Sequence, residues 1–401
     1  MMKHKLRGLL IIPLLLLLLA AYQYLVCPKY NFPSAKKFSG PLFYNPYAGI
    51  DSCSWIKCNF HTHTSAWSGI TNGKSTPAAA DSLYKKLGYT VRCISNYHCI
   101  EEDRTGNPAY VEAYEHGFGL LKTHQNILGG TKITWSDFLF PQTIHNKQYI
   151  LTLLQDGDSN VIAINHPNNR NAYRPHNFSF LRGYHCIEIF PSGSIAAWDS
   201  ALSAGKPAFC IANDDAHDIT NPKQVGRNFT WVAVKEVNKK NILASLKAGR
   251  CYAVSVPEIP GETMDEKVAR AQQGHVHIKS ISTTGDSLHI TVSDTASFRF
   301  VGQGGKLLAS VDRNKKASYG MQPRDSYVRT RIFFPDGSEI NVNPVFRYDG
   351  RFPSPMMPLI DENKTKWFRM AGIAAIAIVS ILMSILLFSY FFQIRPMRNR
   401  L

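Results

Sequence analysis

The sequence predicts an α/β protein in which parallel strands with crossover helices give way to a small antiparallel β-sandwich, the whole flanked by two transmembrane helices. Three observations carry this expectation. From about Cys58 to Val256 short apolar runs alternate with helical stretches, past Gly274 the apolar residues fall into period two, and both chain ends hold long uncharged segments bordered by basic residues. Alternation of the first kind means a barrel or an open sheet covered on both faces.

The amino-terminal segment, residues 1–27, places Lys3, Lys5 and Arg7 before an uncharged run from Gly8 to Val26 that is just long enough to span hydrocarbon. It reads as an anchor or a signal. The small-x-small pattern of a cleavage site is missing, and Tyr24-Leu25-Val26 before Cys27 fits a lipoprotein site poorly, which favours an uncleaved anchor. At the other end residues 368–394 form a clearer span, uncharged from Met370 to Ile394, and the tail 395–401 adds Arg395, Arg398 and Arg400. By the positive-inside rule both termini are cytoplasmic, and the bulk of the chain lies outside the cytoplasm, periplasmic or extracellular.

The chain carries 45 Lys and Arg against 29 Asp and Glu, a formal net charge of +16. Without the basic residues of the two tips the remainder keeps about +10, which favours anionic neighbours such as lipid headgroups, phosphorylated glycans or a phosphate-bearing substrate. The location argues against nucleic acid. Among the eight cysteines, Cys53 and Cys58 are near enough to close a small disulfide loop, whereas Cys93, Cys186 and Cys210 sit in apolar runs and read as buried thiols.

Residues 50–256 supply seven strand candidates: "KCNFH", "TVRCISN", "NILGGTKITW", "VIAINH", "CIEIF", "AFCIAND" and "TWVAV". Thr76-Pro77 starts a helix that Gly88 ends, Asn107-Pro108 starts another, and Gly205 and Gly249 close two more. Residues 257–273 read as a polar linker. Residues 274–350 then alternate in "HVHIKSI", "SLHITVSD", "SFRFVG", "KLLASV", "YVRTRIFF" and "EINVNPVFRY", with a hairpin signal at Asp336-Gly337.

Metal-ligand types stand at strand ends: His61 and His63 after the first, His98 after the second, His166 after the fourth, and Asp215 with His217 after the sixth. In a parallel barrel those ends form one rim, where residues far apart in sequence converge. In an extended "NFHTHTSAWSG" the imidazoles of His61 and His63 project from one face about 7 Å apart and can share an ion. The same spacing recurs at His275 and His277, with nothing around it to suggest chemistry; these two and His289 read as strand-surface residues.

In order and context, "FHTHTSAWSG", "ISNYHC", "AINHPN" and "NDDAHD" resemble the successive motifs of the polymerase and histidinol phosphatase (PHP) superfamily, and "ILASLKAGRCYAV" with the later "NVNPV" resembles its carbaryl-hydrolase-like branch. The resemblance covers roughly Lys57 to Tyr348. It implies a distorted seven-stranded β/α barrel of TIM-like form and a divalent site of zinc, manganese or iron that hydrolyses phosphoesters with metal-activated water. Carried over by motif, His61, His63 and Asp215 would hold one ion, His98 and His166 another, and His217 a further position.

Three positions depart from the pattern. Ser68 and Tyr97 stand where acids are expected, and the bridging glutamate after the third strand falls on Lys132 in "GGTKITW". An ammonium there would repel the ions it should bind. Lys132 would thus replace one metal and leave a single-ion site, become an anionic bridge by carbamylation, or mark a degenerate domain that only binds or scaffolds. Asp214 and Asn165 are candidates to orient ligands, Glu188 to reach the site or pair with Arg182, and Arg170 and Arg174 to hold an anionic leaving group.

Overall fold

The computed structural model describes residues 21–50, 53–102, 106–157, 159–353 and 356–394. Most of the expected amino-terminal span and the basic tail lie outside them. The strands are β1 (Ser54–Asn59), β2 (Val91–Arg92), β3 (Ala113–His116), β4 (Gln125–Leu128), β5 (Val161–Ile164), β6 (Cys186–Phe190), β7 (Phe209–Ala212), β8 (Asn228–Val234), β9 (Cys251–Ser255), β10 (Ile278–Thr284), β11 (Ser287–Gly302), β12 (Lys306–Gly320), β13 (Tyr327–Phe333) and β14 (Glu339–Tyr348). The helices are α1 (Pro77–Lys86), α2 (Ile144–Leu153), α3 (Ile195–Ser203), α4 (Lys239–Lys247), α5 (Met264–Gln272) and α6 (Glu362–Ile394).

The fold is mixed α/β. Strands β3 to β7 form a five-stranded sheet in chain order that curls as a half-barrel. Two isolated parallel bridges, Tyr97 with Glu115 and Thr62 with Ala216, tie its two edges to the chain that follows β2 and β1. A uniformly parallel barrel does not form: β4 runs antiparallel to both β3 and β5, and β8 runs antiparallel to β1. Nor are the later strands separate from the first sheet in their hydrogen bonding. They continue the sheet of β1 and β2 through β8, β9, β14, β13, β11 and β10, with β12 paired to β11, because β9 is buried along most of its length and binds β14 along its far edge.

Helix ends follow local chemistry. The Thr76 side chain accepts from the Ala79 amide at the start of α1, with proline in the first turn, and Gly88 follows its end at φ 80°. No helix forms after Asn107-Pro108; the Asn107 side chain accepts from the Ala109 amide in a turn, and the chain enters β3 instead. The stretch read as a linker carries α5, whose Thr263 and Glu266 form a capping box. Among the described residues, which include all eight cysteines, no disulfide forms: Cys58 is buried within β1 while Cys53 is a free thiol at its start.

The chain ends are fastened together. Tyr30–Asn31 pairs antiparallel with Leu359–Ile360, the Lys29 amide donates to Thr365 Oγ1 (2.9 Å), and the Arg369 guanidinium donates to the Val26 carbonyl (2.7 Å). Within α6 the stretch Glu362–Leu382 is long and apolar enough to cross a membrane.

Candidate metal centre

Beyond β1 the chain stays extended because the Asp215 amide donates to the His61 carbonyl (3.0 Å) and the His63 amide to the Ala216 carbonyl (2.8 Å). The two rings consequently share one side, with their Nε2 atoms 3.2 Å apart. The β3–β4 hairpin pairs Glu115 with Asn126, which sets His124 beside Glu115. His166 follows β5, and Asp215 with His217 follows β7.

Glu115 is the centre of this arrangement. Its Oε1 lies 2.9 Å from His124 Nδ1, 3.1 Å from His166 Nε2 and 3.3 Å from His61 Nε2, while its Oε2 lies 3.1 Å from His63 Nε2. Asp215 Oδ1 stands 3.1 Å from His61 Nε2, 3.4 Å from His63 Nε2 and 3.7 Å from His217 Nδ1. These residues make four overlapping sets of three donors with ligand atoms within 4.8 Å: His61, His63 and Glu115; His61, His166 and Asp215; His63, Asp215 and His217; and Glu115, His124 and His166. Glu115 and its four imidazoles are all buried.

The charges favour a cation. Burial would push His61 down, but the carboxylates of Asp215, Glu115 and Glu188 outweigh it and raise its pKa well above the ordinary value. For Glu115 burial acts upward, and the surrounding His124 and His61 outweigh it and hold the carboxyl well below the usual range. A field that favours a proton on a buried imidazole also favours a divalent cation beside it. Two further features fit an ion at this point. Glu115 Oε2 and Asp215 Oδ1 are buried without a hydrogen-bond partner, and the donor set of imidazole and carboxylate suits zinc, manganese or iron.

Supporting groups fix the donors. Glu188 accepts from the His166 amide (2.8 Å) and the Asn213 side chain (2.8 Å) and meets His61 Nδ1 at 3.1 Å, so it sets that ring's orientation. Arg182 instead donates to the carbonyls of Ser179, Phe180 and Leu181. The Asn165 side chain donates to Glu115 Oε1 (2.9 Å), and the Tyr97 ring stacks on His63 at 4.5 Å. His166 and Asp215 adopt φ of 23° and 51°, a left-handed backbone that costs roughly 1–3 kcal/mol at a non-glycine residue and is held here by the amide bonds to Glu188 and His61.

Of the residues singled out from sequence, His61, His63, His166, Asp215 and His217 converge; His98, Lys132 and Asp214 do not. Both ring nitrogens of His98 are engaged by backbone, Nδ1 with the Thr134 carbonyl (3.1 Å) and Nε2 with the Gly117 amide (3.0 Å), and Trp135 stacks on the ring at 5.3 Å. Lys132 is exposed and lines a surface groove with Trp67, His98 and Trp135. It lies outside any strand because β4 stops at Leu128, where Gly129 turns at φ 78° into a space that a Cβ would close against Leu243. Both oxygens of Asp214 are taken by the amides of Gly226, Arg227 and Asn228 and by the Tyr84 hydroxyl, so it anchors a loop.

Glu115 and His124 are the residues that sequence reasoning missed. Their signal is weak: "AYEH" is a four-residue strand buried throughout, so it shows no alternation, and "THQN" places polar residues where a strand begins.

No family model matches the sequence, and no curated protein matches it. Among solved structures it is similar to the crystal structure of a two-domain protein containing a predicted PHP-like metal-dependent phosphoesterase from Bacteroides vulgatus, with 13% identity and a TM-score of 0.38 over 78% of this chain and 99% of that one.

Proposed function

We propose that this chain is a membrane-anchored, metal-dependent hydrolase of phosphoesters, of the PHP type, with the bulk of the chain outside the cytoplasm. The observation that supports it most is Glu115, a buried carboxylate with one oxygen toward His124, His166 and His61 and the other toward His63. Glu115 would hold a divalent ion together with His61 and His63, or with His124 and His166, and Asp215 would complete the donor set beside His61 and His63. An ion held there would supply activated water and neutralise charge on the ester. Glu188 and Asn165 keep the donors oriented, His217 lies at the outer edge beside Asp215, and the Tyr97 ring walls the site over His63. The competing reading, a degenerate binding or scaffolding domain, follows from the departures at Ser68, Tyr97 and Lys132; the buried Glu115 beside four imidazoles weighs against the part of it that concerns Lys132.

Metal analysis of the purified full chain in detergent tests the proposal. After loading with zinc, manganese or iron, at least about one ion per chain and hydrolysis of aryl phosphate esters are expected, with both lost in His61→Ala. Less than about a tenth of an ion per chain would overturn the enzyme reading. For topology, a reporter active only outside the cytoplasm should be silent when fused after Leu401 and active when inserted near Gly274.

A further inference from the structure

The rim around the metal centre carries an apolar surface that neither metal binding nor hydrolysis requires. Phe118 and Leu120 project from the tip of the β3–β4 hairpin, Trp135, Leu139 and Phe140 from the loop after β4, and Trp67 from the loop after His63; all six are exposed, Trp135 by 58% and Leu120 by 53%. They form one continuous patch. Trp67 meets Trp135 at 5.8 Å, Trp135 and Phe118 flank the His98 ring, and the Leu120 amide donates to the Leu139 carbonyl (2.9 Å). Cations stand among them: Arg170 donates to the Leu120 carbonyl (3.0 Å), and Lys122 lies 5.4 Å from the Tyr97 ring. Exposed large apolar side chains gathered in one patch mark an interaction surface.

The position of the patch along α6 identifies its occupant. The Tyr24 hydroxyl donates to the Phe140 carbonyl (2.7 Å), and its ring meets Phe138 at 5.0 Å. The next residue, Leu25, packs so closely on Gly372 that a Cβ there would collide with it, while Arg369 holds the carbonyls of Leu25 and Val26. Phe140 is therefore level with the first turn of the uncharged stretch that begins at Met370. That is the depth at which a spanning helix leaves the headgroup layer, where Trp and Tyr are enriched and Lys and Arg meet anionic lipid.

We infer that the rim of the metal centre rests on the headgroup layer of the bilayer that α6 crosses, with Phe118, Leu120, Trp135, Leu139 and Phe140 inserted and Lys122 and Arg170 facing anionic lipid. The chain then holds its site against the membrane by two contacts, a spanning helix and an interfacial patch. A protein partner on the same face is the alternative that the test separates.

The test uses the full chain reconstituted in vesicles of phosphatidylcholine and phosphatidylglycerol. Leu120→Trp adds an emitter at the hairpin tip, read as the difference from the parent chain. Its emission should be quenched at least about twofold by lipids brominated in the upper acyl chain and be insensitive to aqueous iodide. Trp135→Phe reads the same surface by loss, and should remove part of the bromolipid-quenched emission of the parent. Added emission quenched by iodide and untouched by bromolipid, or a Trp135→Phe variant with unchanged bromolipid quenching, would overturn the inference. Neither readout depends on metal or turnover, so the result stands apart from the proposed hydrolysis.

Discussion

Two histidine doublets with the same spacing occupy opposite electrostatic settings in this molecule. His61 and His63 face Glu115 and Asp215, with Glu188 behind His61. His275 packs on the Phe229 ring at 5.0 Å with its Nε2 3.0 Å from the Lys57 ammonium, and His277 Nδ1 turns back to the His275 carbonyl. Burial first, then Lys57, Arg270 and Lys267, push His275 down to about 3, whereas carboxylates lift His61 against the same burial. Spacing lets two imidazoles share an ion; the charges around them decide whether a cation is welcome.

The largest effect that would break this comparison comes from Glu115. Glu115→Gln keeps the shape and removes the charge, so bound metal should fall below one ion per chain and any hydrolysis by on the order of 1,000-fold, while His275→Ala and His277→Ala leave both unchanged. Metal analysis and an ester assay on all three variants check it; unchanged metal content in Glu115→Gln would remove the carboxylate from the account.

Glu188→Gln should act through His61 orientation and weaken metal affinity by roughly 10- to 100-fold, measured by competition with a chelator of known affinity. An unaltered affinity would mean that the ring is held by packing alone.

Lys57 sharpens the other half of the comparison. Burial lowers its pKa to about 7, against roughly 10.4 when free. Between those values the unfolded chain carries a proton that the folded chain lacks, so its contribution to stability climbs with pH across that window and is least favourable below pH 7. Lys57→Met should flatten that climb in denaturation curves and let His275 titrate partway back toward the ordinary histidine range by NMR, without creating a metal site. A His275 that stays at about 3 would assign its shift to burial with Arg270 and Lys267.

The smallest effect belongs to Lys132. Its side chain is exposed on the loop after β4, so Lys132→Glu should leave metal content and hydrolysis within about twofold of the parent. A gain of an ion would restore Lys132 to the bridging position.

Much of the site was legible because imidazoles at strand ends are chemically conspicuous: His61, His63, His166, Asp215 and His217 could be grouped before any geometry was known. Glu115 was not, because its strand is four residues long, buried throughout and preceded by an Asn-Pro pair that normally opens a helix. His98 misled for the opposite reason, since a histidine after a strand looks the same whether its nitrogens face an ion or, as here, the backbone of Thr134 and Gly117.

By itself the sequence determined what depends on neighbours along the chain: the cap of α1 at Thr76-Pro77, the period-two strands after Gly274, the apolar helix at the carboxyl end and the residue types able to hold a metal. Only the tertiary structure decided that the late strands join the first sheet, that Lys132 lies outside the site, and that Glu115 stands within about 3 Å of four imidazoles from three separate segments. The reason is range. Capping and periodicity act over one or a few turns of chain, whereas a carboxylate meets four imidazoles only when segments far apart in sequence converge on it, and convergence is a property of the packed sheet.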